Sequence, residues 1–198
     1  MIIINYQLEL DKYINSLNCR PKLALHSCCG PCSSYVIEYL SEFFDITLFF
    51  YNPNIHPETE YEKRLSEQLR LCKELSIPTV PCDYNKADFF DFVKGLENER
   101  EGGQRCTKCF EMRLDYTAKK AKELGFDIFA TTLTVSPHKN AQLINEIGEK
   151  ISEMYNISWL PSDFKKRNGY LKSIQLSKQY DLYRQDYCGC IFSKQKEL

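Results

Sequence analysis

Seven of the ten cysteines in this 198-residue chain fall in three tight groups: Cys28-Cys29-Gly30-Pro31-Cys32, Cys106-Thr107-Lys108-Cys109 and Cys188-Gly189-Cys190. Neighbouring thiolates repel one another and desolvate poorly unless a metal ion, an iron-sulfur core or a disulfide takes up their charge. The spacing therefore points to metal or redox chemistry. A C-x-x-C pair such as Cys106/Cys109 suits structural zinc, an iron-sulfur cluster or a redox dithiol equally well. Cys28 and Cys29 complete a set of four thiolates. Four cysteines would also serve zinc, although adjacent Cys-Cys is not the usual zinc-knuckle spacing. Cys188 and Cys190, one glycine apart, can close a very small disulfide ring whose strain makes it easily reduced, or can act as metal ligands.

The elements that must position these groups follow from hydrophobic periodicity. Lys22 to Ser27 reads as a short buried strand, Cys32 to Phe43 as a helix opened by Pro31, and Asp45 to Tyr51 as a second strand. A helix over Glu58 to Leu75 with the stripe Tyr61, Leu65, Leu69, Cys72, Leu75 leads to a third strand at Ile77 to Val80. Helices at Lys86 to Leu96 and Lys108 to Leu124, a strand at Asp127 to Leu133 and a helix at Asn140 to Tyr155 follow. Strands alternating with helices predict an α/β fold with a doubly wound, mostly parallel, Rossmann-like sheet. Ligands of such sheets gather beyond the carboxyl ends of the strands, and the first cysteine group sits at the first strand-to-helix turn. Phosphate-binding folds place glycines at that turn; here thiolates stand instead. Cys106 and Cys109, after Gly102-Gly103, bring a second pair of thiolates to a second positive helix end.

Cys72 lies on an apolar stripe and reads as a small core residue, and His26, on a buried strand, as a satisfied core histidine. His56 and His138 stay open, and Cys19 and Cys82 carry no pattern. With 43% hydrophobic and 27% charged residues, the chain predicts one domain over 1–198, with the 163–198 segment packed on it. Ile2 to Ile4 is the only apolar run near the start, and nothing reaches membrane-spanning length, so a cytoplasmic protein is expected. In a reducing compartment ten cysteines serve as ligands, redox thiols and core residues rather than a disulfide framework. A net charge of -1 argues against indiscriminate coating of nucleic acid. Between Asp163 and Arg184, however, six basic residues stand against two acidic ones, interleaved with Tyr170, Tyr180 and Tyr183. Such a patch suits phosphates and stacked bases, while the plainer alternative is a solvated helix face over packed tyrosines.

Taken jointly, several motifs carry a resemblance over nearly the whole chain. They are His26-x-Cys-Cys-Gly-Pro-Cys32, Tyr51-Asn-Pro-Asn-Ile-His-Pro57, Glu101-Gly-Gly-x-Arg-Cys-x-x-Cys-Phe110 and Thr131-Thr-Leu133 with Ser136-Pro137. Asp163-Phe-Lys-Lys166 with Gly169-Tyr170 and Tyr183-Arg-Gln-x-Tyr-Cys-Gly-Cys190 complete the set. The chain resembles the cobalamin-independent epoxyqueuosine reductases, QueH. The resemblance implies an iron-sulfur oxidoreductase on a fold of the nucleotide-hydrolase-like α/β superfamily, removing the epoxide oxygen of epoxyqueuosine in tRNA as the last step to queuosine. It further implies a 4Fe-4S cluster on Cys28, Cys29, Cys106 and Cys109, and a redox-active pair at Cys188 and Cys190. It implies too an additional mononuclear iron, for which Cys32 and Asp83 are the candidate ligands. The physiological electron donor is left unspecified. Reductive loss of an epoxide oxygen takes two electrons and two protons and needs a Lewis acid or proton donor at that oxygen. Two other classes fit part of the pattern: a tRNA sulfur-transfer enzyme, which would need an ATP loop where Cys28 to Cys32 stands, and a noncatalytic zinc-stabilised RNA-binding module.

Overall fold

The computed structural model describes residues 4–194. Most of the apolar run at Ile2 to Ile4 and the last four residues of the 163–198 segment lie outside them. Five parallel strands make one sheet: β1 (Lys22–His26), β2 (Asp45–Phe49), β3 (Thr79–Val80), β4 (Ile128–Thr131) and β5 (Ser158–Trp159), in the order β3-β2-β1-β4-β5. The helices are α1 (Tyr6–Asn15), α2 (Gly30–Leu40), α3 (Glu58–Glu74), α4 (Lys86–Phe92), α5 (Gln104–Glu123), α6 (Ala141–Tyr155), α7 (Gly169–Gln179) and α8 (Ile191–Lys194).

Side chains on a strand alternate between faces, so each strand feeds two cores. Leu23 and Leu25 of β1 join Ile46 and Leu48 of β2 and Ile128 and Ala130 of β4 beneath α1, α2, α3 and α7. Ala24, Phe49 and Phe129 turn the other way, onto Leu114 and Ala118 of α5 and Ile144 and Ile147 of α6. Both faces are thus covered, as near-continuous apolar strands require. Each fully buried Leu, Ile or Phe contributes about 1.5–3 kcal/mol relative to exposure. On the second face α6 approaches β5 so closely that a Cβ on Gly148 would lie 2.3 Å from the Trp159 ring, and only glycine fits there.

The doubly wound parallel sheet is the architecture expected from the sequence, and most elements fall within a few residues of their predicted limits. α1, β5, α7 and α8 were not anticipated. The two-residue β5 is too short to show a period, and α7 begins at Gly169, straight after Asn168 in the left-handed conformation, where the Asn-Gly pair reads as a turn. The chain order reverses between β1 and β4, and the first cysteine group follows β1 directly at this switch point.

Candidate metal centre

The first group is held by the strand ends around it. His26, fully buried, meets Thr131 Oγ1 at 2.9 Å and the Tyr51 carbonyl at 3.2 Å. A carbonyl can only accept, so Nε2 carries the proton. Burial lowers its pKa to about 3, and it is the satisfied core histidine that its strand position predicts. Beyond it, the Cys28 N–H donates to Thr132 Oγ1 at 3.3 Å, and the Thr132 hydroxyl lies 3.6 Å from Cys28 Sγ. Cys29 caps α2 in an extended conformation, without a side-chain cap of its own. The Cys28 and Cys29 sulfurs are 3.8 Å apart, and those of Cys28, Cys29 and Cys32 all lie within 4.8 Å of one another.

The second group rides on the first two turns of α5, which Gly103 caps. The Gly102 N–H donates to Cys106 Sγ at 3.2 Å, and Cys109 is buried. Two guanidinium groups flank it. Arg113, four residues after Cys109 and so on the same helix face, donates to the Cys109 carbonyl at 3.2 Å and to Asn52 Oδ1 at 3.3 Å. Asn52 in turn donates to the Ser27 carbonyl at 2.8 Å, which ties the second group to the first. Arg105, only 1% exposed, gives Nη1 to the carbonyls of Leu96, Glu97 and Glu99, while its Nε and Nη2 find no partner.

The third group is brought back from the end of the chain. Arg70 binds the Tyr180 carbonyl at 2.8 Å, the Tyr183 N–H meets Glu67 at 2.9 Å, and Arg64 reaches the Tyr187 carbonyl at 3.2 Å. Tyr187 donates its hydroxyl to the His56 carbonyl, and the His56 N–H donates to the Gly189 carbonyl at 2.8 Å. The 52–57 loop and α3 therefore clamp the Cys-Gly-Cys turn from two sides. Gly189 has φ +99°, a conformation that favours glycine. Cys188 and Cys190 are both free thiols here.

Cys28, Cys106, Cys109, Cys188 and Cys190 line one cavity of about 120 Å³, together with Arg105, Arg113 and Lys139. Cys29 and Cys32 back onto Cys28. None of the ion pairs among the described residues involves either guanidinium or Lys139. Buried charges need partners, and the groups within reach able to supply negative charge are the sulfurs and the Glu101 carboxyl on the same cavity wall. The thiols respond unevenly. Hydrogen bonding from Cys29 and Cys32 holds Cys28 well below the ordinary thiol range, whereas burial pushes Cys109 up to about 11. Cys190 holds the Cys188 thiol down to about 5 and is itself pushed up. Lys139 loses by desolvation but gains more from Cys28, Cys32 and Cys29, so its ammonium form is favoured. Thiols from three segments, two helix amino ends and three cations suit a thiolate-bound anionic group.

Asp83 is exposed and is not among the residues lining the thiol cavity. Cys72 is a core residue that accepts a hydrogen bond from Gln68, and Cys19 is exposed. Arg105 stands inside the Glu101 to Phe110 motif without a role that the sequence assigns it, and Arg113 and Lys139 stand outside the motifs. The i,i+4 spacing of Cys109 and Arg113 was a usable signal; Lys139, in a loop, offered none. The basic 163–184 segment is partly neutralised, with Lys165 on Asp163 and Arg167 on Asp11, each at 2.5 Å.

Thiols gathered at the switch point of a parallel sheet, in a positively charged cavity, define an α/β protein built for thiolate-metal or redox chemistry. Residues 23–196 match the family described as "Epoxyqueuosine reductase QueH". A protein of that name from Streptococcus pyogenes is 46% identical over 199 residues, spanning 96% of this chain and 78% of the relative. Another, from Thermotoga maritima, is 36% identical over 172 residues, spanning 85% and 88%. The chain belongs to the epoxyqueuosine reductase family QueH, a family of oxidoreductases of tRNA queuosine processing. Among solved structures, the U34-tRNA thiolase NcsA from Methanococcus maripaludis with its [4Fe-4S] cluster superimposes with a TM-score of 0.59 at 14% identity. That match covers 95% of this chain and 67% of the thiolase, and it speaks for the fold. No helix among the described residues is long and apolar enough to cross a membrane.

Proposed function

We propose that this chain reduces the epoxide of epoxyqueuosine in tRNA to the alkene of queuosine, in the cytoplasm, using a 4Fe-4S cluster on cysteine thiolates. The observation that carries the reading is the convergence of five cysteines from three separate segments on one cavity beside two buried guanidiniums without carboxylate partners. Cys28, Cys29, Cys106 and Cys109 would hold the cluster, which when bound supplies one-electron transfer. Arg105 and Arg113 offset its negative charge, and the buried walls keep water from the reacting carbon centres.

Cys188 and Cys190 are proposed as a dithiol that stores reducing equivalents next to that site. For an additional iron, Cys32 offers a thiol close to Cys28 and Cys29, while Asp83, exposed and outside the cavity lining, is not counted among its ligands here. The groove outside the cavity is lined by Tyr170, Arg184 and Tyr187, groups able to stack on a base or meet a phosphate of an anticodon loop. The single-domain organisation over 1–198 is part of this reading, with the 163–194 portion completing the cavity wall.

The test is anaerobic purification with a visible spectrum, metal and sulfide analysis, and an assay on tRNA carrying epoxyqueuosine. A brown protein bleached by dithionite that converts this tRNA to the queuosine form is expected. A colourless zinc protein that stays colourless after reconstitution with iron and sulfide would overturn the reading.

A further inference from the structure

The thiol cavity adjoins a wider groove of about 550 Å³. Glu101, Gly102, His138, Lys139, Gln185 and Cys188 belong to the walls of both and so form the threshold between them. Lys139 is the one ammonium at this threshold. Its backbone is fixed, the N–H donating to the Ser136 carbonyl at 3.3 Å just before α6, and its side chain is half-buried. Among the described residues the ammonium enters no ion pair and donates no side-chain hydrogen bond to a carbonyl. A half-buried cation that shares its walls with Glu101 and the cavity thiols but is held by no ion pair, where an outer groove opens onto a thiol cavity, is available to a ligand that enters from one side and reacts on the other.

We propose that the Lys139 ammonium binds the oxygen of the substrate's three-membered ring at this threshold and gives it a proton as the first carbon–oxygen bond breaks. The inference rests on the reductase reading above. In the overall reaction both C–O bonds break and one C=C π bond forms. Two electrons enter from an external one-electron reductant acting twice, and two protons convert the oxygen to water. Lys139 supplies the proton that prevents a free alkoxide from forming, and solvent in the outer groove reprotonates the amine. Glu101 and Cys188 at the same threshold bring negative charge or a thiol, neither suited to holding a developing alkoxide.

The test uses the iron-sulfur-loaded protein and three variants, Lys139→Gln, Lys139→Arg and, as a control at an exposed lysine away from both cavities, Lys150→Gln, with kcat, KM, iron and sulfide content, and affinity for tRNA carrying epoxyqueuosine measured for each. Lys139→Gln should lower kcat by about 10²–10⁴-fold. Its metal content, visible spectrum and tRNA affinity should stay within a few-fold of the parent. Lys139→Arg keeps the charge but holds its proton too tightly to give it up, so it should remain slow. Recovery of kcat in Lys139→Arg would show that charge alone suffices and overturn the proton transfer. Loss of iron in Lys139→Gln, an undiminished kcat, or an equal loss in Lys150→Gln would each overturn the assignment to Lys139. If the parent protein binds its cluster but leaves the tRNA unchanged, it is the reductase reading that fails.

Discussion

Replacing Gly189 by alanine probes how firmly the Cys188-Gly189-Cys190 turn is held. A Cβ at this position would sit 2.8 Å from Ile55 Cγ1 and 3.2 Å from both Ile55 Cα and Arg64 Nη1. Ile55 and Arg64 are themselves buried, and Arg64 is fixed by Glu60 at 2.6 Å and by the Tyr187 carbonyl, so neither neighbour can step aside. A positive φ costs a residue with a Cβ about 1–3 kcal/mol. Forcing a methyl into a filled space costs about 1–3 kcal/mol more. Together Gly189→Ala should remove about 2–6 kcal/mol, which for a chain of this size lowers the thermal midpoint by about 4–24 °C. The His56 N–H to Gly189 carbonyl bond should break as the turn shifts, and the buried Cys190 should become reactive. Circular dichroism melts of the anaerobic protein give the first quantity, and thiol titration with and without the substitution gives the second. A midpoint within about 2 °C of the parent, with Cys190 still protected, would refute the view that this turn is clamped.

Four further outcomes follow from the same geometry. Arg113→Met removes a buried positive charge beside the thiols. At an effective dielectric near 20 a unit charge several ångströms away is worth on the order of a few kcal/mol, so the reduction potential of a bound cluster should fall by on the order of 100 mV; an unchanged potential in redox titration would mean that solvent already screens this guanidinium. His26→Phe leaves the Tyr51 carbonyl without its buried donor and should cost about 2–4 kcal/mol in chemical denaturation, with a loss under about 0.5 kcal/mol counting against its core role. Cys72→Ala should cost about 1–2 kcal/mol and leave iron content intact, whereas lost iron would make Cys72 a ligand. Asp83→Asn should leave the iron-to-sulfide ratio where it was, and a drop in iron alone would restore Asp83 as a ligand.

The sequence carried the strand-helix alternation because β1, β2 and β4 are apolar on both faces, and it carried the site's location because cysteines replace the glycines expected after β1. His26 and Cys72 were readable as core residues for the same reason, each lying on a periodic apolar element. What alternation cannot carry is convergence. The return of Cys188 and Cys190 to Cys28 depends on single bonds from Arg64, Arg70 and His56 to backbone carbonyls far along the chain, and such bonds leave no period. The three cations were hidden differently, since a charged residue on a polar helix or loop looks solvated until its neighbours are known. Asp83 is the converse case: an acidic residue beside Cys82 in sequence, it is exposed and is not among the residues lining the thiol cavity.

The cavity gathers sulfurs from position 28 to position 190, so no partly folded form of the chain can assemble it. During synthesis the last wall arrives only once Cys190 has left the ribosome. A metal group held by Cys28, Cys29, Cys106 and Cys109 would close a loop over 28–109 that takes in β2 and β3, and because it binds only the folded chain its binding energy would add to the stability of the whole. Loading should therefore act as a clasp on the whole molecule, and protection of backbone amides from exchange should rise as far away as β5, which contributes no ligand.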